Sequence, residues 1–107
     1  MSEAHATVVL SGHLTRDALE AALKQVQLRD GKQALVVDCR SMQGYALDVR
    51  HAFVDWNRRN ASSISRVAVV TDNRMWWMVI ATMSLASGRT MRAFATVQEA
   101  SAWARDG

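Results

Sequence analysis

Cys39 is the only cysteine among 107 residues, and proline is absent altogether. A single thiol allows neither an intrachain disulfide nor a thiolate zinc site, which favours a reducing, cytoplasmic setting. With half the residues hydrophobic and 21% charged, the lack of proline excludes proline-rich, collagen-like and disordered classes. Glycine is scarce too. Gly12, Gly31, Gly44, Gly88 and Gly107 show neither the spacing of a dinucleotide fingerprint nor that of a phosphate loop, so nucleotide binding by those motifs is excluded. The first four fall instead between expected elements, as chain breakers. His5, His13 and His51 lack the H-x-x-x-H and H-E-x-x-H spacings, so neither a metal site nor a cofactor is expected. The longest nearly uncharged stretch, residues 75–88, is 14 residues, short of the roughly 20 that span a bilayer. No transmembrane segment is therefore expected, although peripheral membrane contact stays open. The start, MSEAHATVVLSGH, has Glu3 and His5 and no basic opening, and does not read as a signal peptide.

Charge of one sign is also limited. Lys and Arg number 13 against 10 Asp and Glu. The arginines are scattered, with only Arg58 and Arg59 adjacent and no aromatic-interleaved RNA motif, so nucleic acid is not an expected partner.

What is present is alternation. Short apolar runs at 6–10, 34–37, 67–70 and 91–94 read as strands, each followed by a helix-like segment. The first helix starts at Thr15 as N-cap, shows Leu19, Ala22, Leu23 and Val26 on one face, and ends at residues 29–32. The second covers 46–60 with Val49, Phe53 and Trp56 as its apolar stripe; the third covers 73–85 with Gly88 as its stop. The fourth opens at Thr96, with Glu99 completing a capping box. The expected fold is a single α/β domain over 1–107, a four-strand mostly parallel or mixed sheet flanked by four helices. Arg92 interrupts the last strand and suits an edge position.

Asp38, Cys39, Arg40 and Ser41 lie at the carboxyl end of the second strand, where open parallel sheets place ligand sites. An enzyme would use Cys39 as nucleophile and His51 as base. A small strand residue and a turn-forming Asp38 are the simpler account, because a reactive thiol needs a close cationic or imidazole partner. No enzyme is expected. Asp72 and Asn73 read as caps of the third helix rather than as part of an anion site.

That third helix is the unusual feature. Met75, Trp76, Trp77, Met78, Val79, Ile80, Ala81, Met83 and Leu85 leave it almost without a polar face. Three readings compete: a helix buried in the monomer, a subunit interface, or the wall of a hydrophobic ligand site.

The residues resemble a known family. VVLSGHLTRDALEAAL at 8–23 resembles the strand, Ser-Gly-x-Leu turn and first helix of the STAS domain, the fold of bacterial anti-sigma-factor antagonists. ALVVDCRSM at 34–42 resembles its next strand and closing Asp. ISRVAVVTDN at 64–73 and FATVQEASAW at 94–103 are similar to the SpoIIAA-like, or STAS/SEC14-like, branch. The resemblance implies a non-enzymatic binding module that acts through partner proteins or holds apolar, lipid-like ligands. Phospho-regulated antagonists carry a Ser at the start of the second helix; the matching Gly44, Tyr45, Ala46, Leu47 and Asp48 supply no such hydroxyl, and Ser41 lies in the preceding turn.

The combined expectation is a cytoplasmic, homodimeric binding protein whose third helix forms a dimer interface or a site for a lipid-like small molecule. Arg74, Met75, Trp76, Trp77, Met78, Ile80 and Met83 form that surface, with Phe53 and Trp56 as neighbours and Arg74 and Arg89 holding an acidic headgroup. The alternative is a regulator that docks a protein partner at the turn carrying Asp38, Ser41, Gly44 and Tyr45.

Overall fold

The computed structural model describes residues 5–26 and 32–106. Four strands and four helices alternate: β1 (His5–Leu14), α1 (Arg16–Lys24), β2 (Gln33–Tyr45), α2 (Asp48–Arg59), β3 (Ile64–Val70), α3 (Arg74–Ser87), β4 (Met91–Phe94) and α4 (Val97–Asp106). The sheet is wholly parallel, in the order β1-β2-β3-β4. Each strand therefore lies beside its predecessor in the chain. Crossovers of one hand in such a monotonic sheet put every connecting helix on the same face. The core shows this: Leu19 and Leu23 of α1, Phe53 of α2 and Ile80 of α3 meet Leu10, Leu35, Val37 and Val67 on one side. Among the described residues only α4 covers the other side, where Ala100 and Ala104 pack on Ala34, Val36, Ala68 and Val70. Small residues on both partners let that helix lie close. It does not reach the outer part of β1, and Val9 stays 62% exposed.

Local chemistry explains the helix ends. The Thr15 hydroxyl accepts from the Ala18 amide, the Asn73 side chain from Met75, and the Thr96 hydroxyl from Glu99, each satisfying an amide that the first helical turn leaves free. The first helix stops at Lys24 with Gln25 as its cap, earlier than the sequence suggests. Of the expected stop at 29–32, residues 29–31 lie outside the described residues. Gly88 closes α3 at φ 68°, and a β-carbon there would meet nothing within 4 Å. Its requirement is purely conformational, so Gly88→Ala is expected to lower stability by about 1–2 kcal/mol, the cost of a left-handed non-glycine residue. Urea unfolding measures this, and a loss below 0.3 kcal/mol (roughly the cost at an ordinary site) would contradict it.

Candidate functional site

The inner face of α3 carries Trp76, Val79, Ile80 and Met83, at helical spacing, toward α2 and the sheet. Opposite stand Val49 and Phe53 of α2, with Leu10, Val37 and Val69 of the strands behind them. These side chains do not close on one another completely, and an apolar cavity of about 70 Å³ remains between α2 and α3. Its rim holds Met42, Tyr45 and Arg50, the last being the one charged residue of the lining. Tyr45 reaches the rim because β2 continues beyond the sheet's centre, pairing Tyr45 with Leu14. There its ring meets Trp76 edge to face at 5.7 Å, a favoured aromatic geometry.

Cys39 borders the same cavity. Burial, and secondarily the charge of Asp38, pushes its thiol up to about 12. That shift favours the protonated thiol at neutral pH, an apolar part of the cavity wall. His51 is exposed on α2. Asp38 is held by its neighbour, for Nε and Nη2 of Arg40 donate to its two carboxylate oxygens at 2.9 and 2.8 Å. This fork, opposed by partial burial and reinforced by the Arg40 amide, lowers the Asp38 pKa below its ordinary 3.8. A carboxylate with a lowered folded-state pKa stabilises the fold above the ordinary carboxylate range, and that contribution disappears as pH falls through 3.8 and below. Arg40 is 56% exposed, so solvent screening limits the effect to under about 1 kcal/mol. Asp38→Asn is expected to lower the neutral plateau by that amount and so to flatten the acid limb of stability against pH. An unchanged acid limb would show that the pair contributes nothing.

The residues expected to share one surface fall into several places. Trp76, Ile80, Met83 and Phe53 meet around the cavity. Met75 and Met78 point away from it, 79% and 75% exposed, in line with Leu85 at 87%. Arg74 and Trp77 line a separate groove on the β4 side of α3. Trp56 stacks on Phe53 with centroids 6.4 Å apart, but borders the furrow between α1 and α2.

Arg89 turns away from the surface expected of it: its Nη2 donates inward to the carbonyls of Ile64 at 2.6 Å and Ser65 at 3.2 Å, at the start of β3. One expectation needs correction. Asp38, Ser41, Gly44 and Tyr45 form no turn. All lie in β2, paired in register with Val9, Ser11, His13 and Leu14. Sequence reasoning missed Arg92, whose guanidinium lies 5.4 Å from the Phe94 ring centre. Their i, i+2 spacing on a strand was the available signal.

The family model described as SpoIIAA-like matches residues 6–105. The chain belongs to the SpoIIAA-like family. A solved structure supports the fold of this SpoIIAA-like domain: an uncharacterized protein from the DUF3478 family with a SpoIIAA-like fold, from Shewanella loihica PV-4. It superposes with a TM-score of 0.67 at 15% identity, covering 92% of this chain and 82% of the other. No curated protein matches the chain. Among the described residues, no helix of the SpoIIAA-like domain is long and apolar enough to cross a membrane, and no group of three or more His, Cys, Asp or Glu side chains gathers as a metal site would require.

Proposed function

We propose that this SpoIIAA-like chain is a non-enzymatic binding module that takes an apolar or lipid-like molecule between α2 and α3. The observation that carries this reading is the cavity lined by Phe53, Trp76, Ile80 and Met83, with one charged residue, Arg50, among its lining. Apolar cavities stay dry and accept apolar guests. At about 70 Å³ it is smaller than the roughly 150 Å³ that accommodates benzene, so a larger ligand enters only as α3 parts from α2. The helix is suited to such movement, since Ile80 and Ser87 are its only fully buried residues. The outer stripe of Met75, Met78 and Leu85 then serves as the contact with a second copy in a cytoplasmic homodimer, because it joins three large apolar side chains exposed on one helix.

Delipidated protein titrated with a fluorescent fatty acid tests the first part. Saturable uptake with a change in tryptophan emission is expected, and Met83→Trp, which narrows the cavity, weakens uptake at least tenfold while the far-UV dichroism is kept. Absence of uptake removes the reading. Light scattering after size exclusion tests the second part, a monomer at micromolar concentration being the contrary result.

A protein-partner reading is favoured by one observation, the 82% exposure of Leu47 at the N-cap of α2. It assigns the start of α2 to a regulatory protein, without a phosphoserine.

A further inference from the structure

The opposite flank of α3 holds a different environment. A groove of about 530 Å³ wraps over the edge strand β4, bordered by Arg74, Trp77 and Ile80 of α3 on one face and by Arg92, Phe94 and Glu99 on the face that α4 covers. We infer that this groove is a binding site for a small organic monoanion, a carboxylate on an aromatic or short apolar body. Its volume lies within the range of small-molecule pockets. Its end at Arg74, Phe94 and Ala95 stands where the chain leaves β3 and β4 for α3 and α4.

The two arginines are prepared for a carboxylate. Arg74 lies 4.1 Å from the Trp77 ring centre and Arg92 lies 5.4 Å from that of Phe94. A guanidinium whose face rests on a ring keeps its in-plane N–H donors directed outward, in the fork that matches a carboxylate. The platforms are fixed in turn. The Trp77 indole donates to the Thr71 carbonyl at 2.9 Å, and Phe94 packs on Trp103 with centroids 5.4 Å apart. Among the described residues the ion pairs are Arg16 with Glu20 and Arg40 with Asp38, so neither groove arginine is neutralised by one. α3 has no acidic residue in its first turn. Glu99 is the one acid lining the groove, and it accepts a hydrogen bond from the Thr96 hydroxyl. Two cations and one anion leave a single positive charge, which a monoanion cancels and a dianion exceeds. This site shares Ile80 with the α2–α3 cavity, its other lining residues are different, and it does not depend on that reading.

The test titrates the full chain with 2-naphthoate, followed by calorimetry and tryptophan emission, beside 2-naphthalenemethanol and inorganic phosphate. Saturable naphthoate binding is expected, at least tenfold tighter than either comparison compound and weakened by raising salt from 50 to 500 mM (a range over which exposed charges become screened). Arg74→Ala and Arg92→Ala each weaken it at least tenfold. Both side chains are exposed, and far-UV dichroism confirms that the variants fold. Met83→Trp, on the cavity side of α3, leaves naphthoate affinity within twofold, which separates this site from the fatty-acid site. Absence of saturable binding, equal affinity for the alcohol, or indifference to both arginine substitutions would overturn the proposal.

Discussion

Phe53→Ala is expected to destabilise the protein by about 3–5 kcal/mol and, in the same variant, to create a site for benzene. Phe53 is 5% exposed, lies at the centre of the α2 face, and borders the cavity already present. Truncating it removes the transfer free energy of the ring and leaves a void that the neighbouring strands cannot fill. That loss is a large fraction of the 5–15 kcal/mol typical of a domain this size. Adding the volume of a phenyl ring to about 70 Å³ brings the cavity into the range that holds benzene. At a hundredfold excess over its dissociation constant, benzene would restore about 2.7 kcal/mol. Urea unfolding with and without benzene measures both effects. A loss below about 1.5 kcal/mol with no response to benzene would mean that α2 and α3 collapse onto each other, against a rigid cavity wall.

Arg89→Leu is expected to cost about 2–4 kcal/mol and to leave naphthoate affinity unchanged. The guanidinium supplies charged hydrogen bonds to two adjacent carbonyls, Ile64 and Ser65, each bond of this kind contributing about 1.5–3 kcal/mol. Ile64 is itself fully buried, so its carbonyl has little recourse to water once the arginine is gone. The Nε of Arg89 is buried without a hydrogen-bond partner among the described residues, which sets the net effect below the sum of the two bonds. Thermal or urea unfolding gives the stability change, and calorimetry gives the anion affinity. A stable variant that loses anion binding would return Arg89 to the ligand role suggested by its position at the end of α3.

These two residues mark what the sequence can and cannot convey. The stripe of Val49 and Phe53 was legible because one period, 3.6 residues, fixes both the helix and its buried face. Asn73 and Gly88 were legible as the ends of α3 for a similarly local reason, a cap and a left-handed stop. Arg89 was not. An arginine beside a helix end looks the same in sequence whether it turns to solvent or to carbonyls that are 24 and 25 residues away in the chain. The far halves of β1 and β2 were hidden for another reason. Residues such as Ser11, His13, Ser41 and Gly44 lack apolar alternation, yet they pair because the two strands run on together beyond the core, through shifts in register. The division of α3 among a cavity, a groove and an open stripe also lay beyond the sequence. Apolar residues on all sides of a helix state that contact is wanted, whereas strand order decides which sides receive it.

The monotonic strand order bears on how the chain is made. Each new strand attaches to the edge just completed, so no gap is held open for a later segment, and the sheet can grow in the order of synthesis. Helix α4 follows the whole sheet in the chain, and among the described residues it alone covers Ala34, Val36, Ala68 and Val70. A chain stopped before residue 97 would therefore carry a complete four-strand sheet with one greasy side bare, a species prone to self-association until α4 arrives.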